Sequence, residues 1–174
     1  MRIALIVEYE GTDFRGFQYQ TNVPSIQEEL EKAIRRLTGE HVRVAAAGRT
    51  DAGVHAKGQV VAFHTESKHR PDTFTRAMNH HLPETIAVKA TYLTRDDFDP
   101  RRDALSRTYQ YTVYSSAIRM PLTRRTAFRV VKSLDVGRMR QGAALLEGTH
   151  DFRDFAGPPA ELGASTLRRI VNTE

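Results

Sequence analysis

Hydrophobic positions along the first half of the chain change periodicity several times, which predicts alternating strands and helices. A continuous apolar run from Met1 to Tyr9 predicts a buried strand, closed by the turn signal Glu10-Gly11-Thr12-Asp13. Ser25 and Glu28 have the spacing of a capping box, and Gly39 is a typical residue at a helix end. Between them, apolar residues at helical spacing form one face: Ile26, Leu30, Ala33, Ile34 and Leu37. This pattern predicts a helix with one buried face.

Three further strands and a second helix are predicted before the middle of the chain. The strands are Val42 to Ala47, Gln59 to His64 and Ile86 to Leu93. Asp72 is predicted to cap a short helix that runs to Met78. The resulting order, β-α-β-β-α-β, is that of a ferredoxin-like unit, which is also the fold of RNA-recognition modules.

A polar segment from Asp96 to Asp103 separates this unit from a second one, so we predict an N-terminal domain over 1–103 and a second domain that starts at 104 and continues to 174. In this second domain we predict three strands, Arg107 to Tyr114, Phe128 to Val131 and Leu167 to Val171. A helix is predicted from an Asp135 cap to Gly148, with an apolar stripe at Val136, Met139, Ala143 and Leu146. A closing helix and strand are missing by comparison with the first unit. The sequence therefore predicts an α+β fold in which the second unit is incomplete and shares an antiparallel sheet with the first.

Composition is that of a globular protein with a modest basic excess. Of 174 residues, 40% are hydrophobic and 27% charged, and 26 Lys and Arg against 21 Asp and Glu give a net charge of +5. This excess alone favours nucleic acid as a partner only weakly. The absence of cysteine excludes disulfides and thiolate metal sites. The run Ile3 to Val7 is too short for a signal-peptide core or a membrane span, so we expect a cytoplasmic protein without a membrane anchor.

The candidate chemistry is concentrated between the second and third predicted strands, in Gly48-Arg49-Thr50-Asp51-Ala52-Gly53-Val54-His55. Two glycines flank an arginine and an aspartate, and glycine permits positive φ and close approach of the backbone to a ligand. One interpretation is a catalytic carboxylate presented from a rigid sheet. The other is an ordinary turn, in which Asp51 bonds its own backbone and Arg49 is solvated. The spacing leaves both open.

Two other segments add aromatic and amide groups. Tyr9 to Gln20 combines aromatics, glycines and amides in a way that suits stacking on bases and bonding to phosphates, although the same aromatics suit the edge of a core. Arg107-Thr108-Tyr109-Gln110-Tyr111 places Tyr109 and Tyr111 on one face of the predicted strand, where ordinary sheet packing is the alternative.

Taken in chain order, these and several other motifs resemble the tRNA pseudouridine synthase A (TruA) family, and the resemblance spans essentially the whole chain. The motifs are Tyr9-Glu10-Gly11-Thr12, Gly16-Phe17-Gln18-Tyr19-Gln20, Ser25-Ile26-Gln27-Glu28, Ala47-Gly48-Arg49-Thr50-Asp51-Ala52-Gly53-Val54-His55-Ala56, Gly58-Gln59-Val60-Val61, Asn79, Leu82-Pro83, Asp97-Phe98-Asp99, Arg107-Thr108-Tyr109-Gln110-Tyr111 and His150-Asp151-Phe152.

The resemblance implies a cofactor-free isomerase that converts uridine to pseudouridine in the tRNA anticodon arm, at positions thirty-eight to forty. By position, Asp51 corresponds to the family's catalytic aspartate, Arg49 to the arginine that helps hold the flipped-out nucleotide, and Tyr109 to the tyrosine that stacks on the uracil. Tyr111 is expected to be mainly a packing residue. Whether the aspartate attacks C1′, attacks C6 or removes a C2′ proton stays open. A homodimer that binds tRNA across both subunits is also implied.

The chain departs from the family pattern in two places. Phe17 stands where family members commonly have tryptophan. The family also carries a C-terminal portion with a basic residue that pairs with the catalytic aspartate, and no residue here corresponds to it. We therefore expect the 174 residues to represent the N-terminal two-thirds of such an enzyme.

Two rival functions fit parts of the sequence. A metal hydrolase is suggested by the seven histidines, but their spacing matches no metal signature. A non-catalytic RNA-binding fragment would explain the basic and aromatic residues but not an aspartate at the centre of the loop. Both the isomerase and the RNA-binding fragment would contact RNA phosphates. The candidate residues for these contacts are Arg15, Arg101, Arg102, Arg124 and Arg125.

Overall fold

A computed structural model describes residues 1–155, 157 and 165–174, and it shows a mixed α+β chain. The chain groups into two compact units, Met1–Gln110 and Tyr111–Glu174. This grouping is one of contacts, and the predicted division into folding domains at 103/104 stays a prediction. None of the described helices is long and apolar enough to cross a membrane.

The first unit is a four-stranded antiparallel sheet with two helices. Its elements are β1 (Arg2–Tyr9), α1 (Ile26–Thr38), β2 (Ala45–Ala46), β3 (Ala56–His64), α2 (Pro71–His81) and β4 (Ile86–Thr94). The sheet has the order β2-β3-β1-β4, so β1 is central and pairs antiparallel with both β3 and β4. The β-α-β-β-α-β order predicted from sequence is confirmed for these elements.

The core lies between the sheet and the helices. Alternate β1 residues Ile3, Leu5 and Val7 have no solvent exposure, and the β3 residues Val61 and Phe63 are equally buried. The α1 face predicted from the sequence meets them, since four of its five residues are buried: Ile26, Leu30, Ala33 and Ile34. Burial of this amphipathic stripe stabilises the helix far more than its intrinsic propensity does.

Local signals at the ends of α1 are also confirmed. The Ser25 hydroxyl accepts a hydrogen bond from the Glu28 amide, and Gly39 adopts a left-handed conformation at φ 78° with its amide bonded to the Arg35 carbonyl. Ser25 is completely buried, and its hydroxyl satisfies one of the first amides of the helix, which have no partner within the helix itself.

Three elements in this unit have bounds that differ from the prediction, and one of them is β3, which begins at Ala56 instead of Gln59. The second strand is only Ala45–Ala46, because the Val44 amide donates to the Glu31 carboxylate at 3.1 Å instead of to a neighbouring strand. The second helix begins at Pro71 and ends at His81, and Asp72 does not cap it. Proline fits the first helical position because its fixed φ suits the helix and it lacks an amide that needs a partner. Asp72 therefore lies inside the first turn.

The second unit contains small elements. They are β5 (Val113–Ser115), a 3-10 turn (Pro121–Thr123), β6 (Phe128–Val130), α3 (Val136–Ala144), β7 (Gly148–Asp151), a 3-10 turn (Arg153–Phe155) and β8 (Leu167–Ile170). β5 pairs parallel with β6, and β7 pairs antiparallel with β8. The Asp135 cap of α3 is confirmed by its bond from the Arg138 amide at 2.9 Å.

Four predictions about the second half of the chain were wrong. No antiparallel sheet is shared with the first unit among the described residues, because the strands of the second unit form two separate two-stranded sheets and β5 is parallel to β6. The strand expected from Arg107 to Tyr114 starts only at Val113, and residues 107–111 form no backbone hydrogen bond with a described strand. The helix expected to run from Asp135 to Gly148 ends at Ala144, and Gly148–Asp151 is a strand. The stripe on α3 is not buried, since Val136 and Met139 are 56% and 50% exposed.

Candidate functional site

The loop that connects β2 and β3, residues 47–55, carries Arg49 and Asp51 and is called the Asp51 loop below. Its ends are fixed to the sheet, because the Ala47 amide donates to the Val60 carbonyl at 2.9 Å. Its tip is a turn closed by the Val54 amide on the Asp51 carbonyl at 3.2 Å. Gly53 supplies the left-handed conformation within this turn at φ 79°. The turn is thus closed by backbone groups.

A second loop, residues 10–20 after β1, lies against the Asp51 loop. The Phe17 amide donates to the Thr50 carbonyl at 2.9 Å, and the Gly53 amide donates to the Phe14 carbonyl at 3.2 Å. Phe14 and Phe17 are 8% and 3% exposed, so these rings fill the edge of the core. This was one of the two interpretations of the aromatic segment, and it holds for these two rings.

Glycine is required where the two loops meet. At Gly16, φ is +99°, and a Cβ atom would lie 2.9 Å from the Thr50 carbonyl oxygen. At Gly11, a Cβ would lie only 2.0 Å from the Val54 carbonyl oxygen. Each position therefore excludes a side chain, and the backbones of the two loops approach each other closely there.

Tyr9, the last residue of β1, contacts the Asp51 loop through its side chain. Tyr9 is 2% exposed, and its hydroxyl shares a 2.8 Å hydrogen bond with the Thr50 hydroxyl. Burial raises the pKa of Tyr9 above its usual value of 10.0, while the bond to Thr50 acts in the opposite direction. The phenol therefore stays protonated at neutral pH and keeps this bond.

The side chains of Arg49 and Asp51 are both exposed. Neither side chain forms a hydrogen bond or an ion pair with any other residue in the described part of the chain. The Asp51 carboxylate in particular does not bond the backbone of its own turn, as the ordinary-turn interpretation would require. The loop thus presents a carboxylate and a guanidinium from a scaffold that does not use either one.

The Tyr109 segment is connected to the same loop through its neighbours. The Arg107 guanidinium donates to the Ala47 carbonyl through Nε at 3.1 Å and through Nη2 at 2.7 Å. The Lys57 ammonium donates to the Gln110 side chain at 2.8 Å. The Tyr109 ring is 73% exposed. Tyr111 is not the packing residue that the sequence predicts, since it is 90% exposed.

The candidate phosphate contacts fall in both units. Arg15 lies in the loop that supports the Asp51 loop, and Arg101 and Arg102 lie on a turn after β4; all three are exposed. In that turn the Asp99 carboxylate accepts the amides of Arg101 and Arg102 at 2.8 and 3.1 Å, and these bonds hold the pKa of Asp99 below its usual range. Arg124 and Arg125 belong to the second unit and are exposed there.

Sequence reasoning missed two residues that build the site, Tyr9 as a side-chain partner and Arg107 as an anchor. Both lie inside quoted motifs, but neither motif reveals which distant atom the side chain contacts. The described residues also contain no group of three or more histidines and carboxylates arranged to hold a metal ion.

Comparison with known proteins places these features among related sequences. A family profile described as tRNA pseudouridine synthase matches residues 5–101. A tRNA pseudouridine synthase A of Roseiflexus sp. is 44% identical over 166 residues, which is 95% of this chain and 61% of the relative. Proteins of the same name from Syntrophomonas wolfei and Myxococcus xanthus are 44% and 46% identical, covering 98% and 88% of this chain and 68% and 58% of their own length. The chain thus spans about three-fifths to two-thirds of these relatives.

Proposed function

Because this chain belongs to the tRNA pseudouridine synthase family, we propose that it carries the catalytic loop of an isomerase that converts uridine to pseudouridine in tRNA. The observation that carries the proposal is the exposed Asp51 carboxylate. It lies on a loop held by the sheet, by residues 10–20 and by Tyr9, yet it has no partner among the described residues. A carboxylate held in this way is available to a substrate.

The proposed reaction suits this residue type. The bond between C1′ and N1 breaks, the uracil rotates, and a bond between C1′ and C5 forms while the C5 hydrogen leaves as a proton and N1 gains one. No electrons are exchanged with a second compound, so the isomerisation balances without a cofactor. Asp51 supplies either a nucleophile or a proton acceptor beside the ribose and the uracil, because a carboxylate can act in either way.

We further propose that the target uridine lies in the anticodon stem-loop, at positions thirty-eight to forty, and leaves its stack to reach Asp51. Extrusion costs a few kcal/mol, and contacts to the flipped nucleotide offset this cost. The exposed Tyr109 ring offers a stacking surface, and the exposed Arg49 guanidinium offers hydrogen bonds to the extruded state. Replacing Tyr109 by Phe should preserve single-turnover rates, whereas Leu should lower them; equal rates for both variants would contradict stacking.

Architecture supports an RNA-directed function. The order β-α-β-β-α-β with the sheet order β2-β3-β1-β4 is consistent with a ferredoxin-like first unit, which we propose as its fold. The second unit would then add the start of another α+β domain, and the complete enzyme would act as a cytoplasmic homodimer that binds one tRNA across both subunits. A monomer in sedimentation of the full-length protein would contradict the last point.

The basic residues are proposed to place the tRNA by phosphate contact. The candidates are Arg15, Arg101, Arg102, Arg124 and Arg125. Because each neutralised phosphate releases counterions, affinity for tRNA should fall as salt rises, with a log–log slope that reflects several contacts. An affinity that is the same at low and at physiological salt would contradict this placement.

Substitution of Asp51 by Asn tests the chemistry. Turnover is followed by release of tritium from tRNA labelled at C5 of uridine, using the full-length protein and Asp96→Asn as a control at another exposed carboxylate. We expect no release by Asp51→Asn, full release by Asp96→Asn, and changes in unfolding free energy below about 1 kcal/mol for both. Turnover by Asp51→Asn would refute the assignment, and tRNA binding without turnover by the wild type would favour a non-catalytic RNA-binding protein.

A further inference from the structure

We infer that Arg107 is a positioning residue that holds the Tyr109 segment at the base of the Asp51 loop. The inference rests on the proposed function for its catalytic consequence, but its structural content stands on contacts within the first unit. Arg107 precedes Tyr109 by two residues, and its guanidinium contacts a residue four positions before Asp51.

The acceptor of Arg107 is itself rigid. Two guanidinium nitrogens converge on the Ala47 carbonyl oxygen, Nε at 3.1 Å and Nη2 at 2.7 Å. Ala47 is 9% exposed, and its amide is bonded to the Val60 carbonyl on β3. Nη2 also donates to the Arg101 carbonyl at 2.9 Å. A single guanidinium therefore joins three segments: the start of the Asp51 loop, the turn after β4 and the approach to Tyr109.

A second contact holds the other side of Tyr109. Gln110 accepts from the Lys57 ammonium at 2.8 Å, and Lys57 lies on β3 just after the Asp51 loop. Arg107 and Gln110, which flank Tyr109, are thus bonded to residues on both sides of Asp51, Ala47 at the start of the loop and Lys57 on β3. Because residues 107–111 form no backbone hydrogen bond with a described strand, these side-chain bonds take the place of backbone bonds in fixing the segment.

Arginine suits this role better than lysine. Its planar fork can direct two N–H groups at one carbonyl oxygen and a further N–H at a second carbonyl, whereas a lysine ammonium is a point charge on a flexible stem. The bond partners are backbone carbonyls of the protein, so the guanidinium acts on backbone geometry. Its effect on the reaction should therefore come through the placement of Tyr109.

The test compares Arg107→Ala, Arg107→Lys and Arg76→Ala in the full-length protein. Arg76 is an exposed arginine on α2, so its removal matches the change in charge. Readouts are single-turnover pseudouridine formation, tRNA affinity, and hydrogen–deuterium exchange of the backbone over 105–112. Methylguanidinium is added to Arg107→Ala as a chemical replacement for the missing group.

For Arg107→Ala we expect faster exchange over 105–112 and a single-turnover rate lowered roughly 10- to 100-fold, as for a misplaced catalytic group. Affinity for tRNA should stay within a factor of about two of that of Arg76→Ala, since one charge is lost in each. Arg107→Lys should remain slow, and methylguanidinium should restore part of the rate to Arg107→Ala.

Several results would overturn the inference. Unchanged exchange over 105–112 in Arg107→Ala would show that Arg107 does not hold the segment, and this result does not depend on activity. A selective loss of tRNA affinity with an unchanged single-turnover rate would make Arg107 an RNA contact. A wild-type rate for Arg107→Lys would show that the planar guanidinium of Arg107 is not required. A wild type without turnover would refute the proposed function, while the exchange experiment would still decide whether Arg107 positions the segment.

Discussion

Removal of the Tyr9 hydroxyl tests how strongly the sheet supports the Asp51 loop. Tyr9→Phe keeps a ring that is 2% exposed and lies 6.4 Å from the Phe17 ring, and it deletes only the group that bonds Thr50 at 2.8 Å. A buried hydrogen bond contributes about 0.5–1.5 kcal/mol net. Thr50 is half-buried, so water can replace part of what its hydroxyl loses. We therefore expect a decrease of about 1 kcal/mol in the free energy of unfolding.

A double-mutant cycle isolates this bond. Tyr9→Phe, Thr50→Val and the double variant are unfolded in urea, and the coupling energy between the two sites should be about 1 kcal/mol. Tyr92→Phe is the control, because Tyr92 is 56% exposed and should change stability by less than about 0.5 kcal/mol. A coupling energy near zero would show that the bond does not support the loop and would refute the reasoning.

Burial of the same Tyr9 hydroxyl gives a pH dependence with a defined sign. Burial raises the pKa of Tyr9 above 10.0, so the folded protein holds this proton more tightly than the unfolded chain does. The stabilisation is fully present below the unfolded pKa of about 10 and is lost as pH rises through the higher folded value. From about pH 8 to about pH 11 the wild type should lose more stability than Tyr9→Phe. Parallel losses in the two proteins would contradict the raised pKa.

Two further substitutions test how the first unit is built, both by urea denaturation. Gly16→Ala should destabilise the protein clearly more than Gly53→Ala. Both glycines have positive φ (99° and 79°), which alone costs a residue with a side chain about 1–2 kcal/mol, but only at Gly16 would the new Cβ meet a backbone atom, the Thr50 carbonyl oxygen at 2.9 Å. Equal losses of stability in the two variants would contradict the close approach at Gly16. Asn79→Ala should cost about 1–3 kcal/mol, because the Asn79 amide group donates to the Val88 carbonyl at 2.8 Å and accepts from its amide at 2.7 Å, and Val88 is 2% exposed. A stability unchanged by Asn79→Ala would show that water serves Val88 as well.

Several features of this protein were determined by local sequence. The apolar spacing from Ile26 to Leu37 specified the buried face of α1, and Ser25 and Gly39 specified its ends. The apolar run of β1 specified a buried strand. The Gly-Arg-Thr-Asp-Ala-Gly-Val-His motif located Arg49 and Asp51 on a loop between two strands. Each of these depends on residues within a few positions of one another, so periodicity and capping are enough to read them.

Other features were decided only by contacts between distant parts of the chain. Alternation predicted a strand from Arg107, but the Arg107 side chain bonds Ala47, which is 60 positions earlier. The Tyr9 hydroxyl shares a hydrogen bond with the Thr50 hydroxyl, 41 positions later in the chain. The Asn79 side chain bonds the backbone amide and carbonyl of Val88 in place of a neighbouring strand. A side-chain donor has no sequence signature for its acceptor, because which carbonyl it meets depends on how the strands and loops are stacked. The sequence motif therefore identified Asp51 as the candidate carboxylate, while the tertiary structure determined which groups hold the loop that carries it.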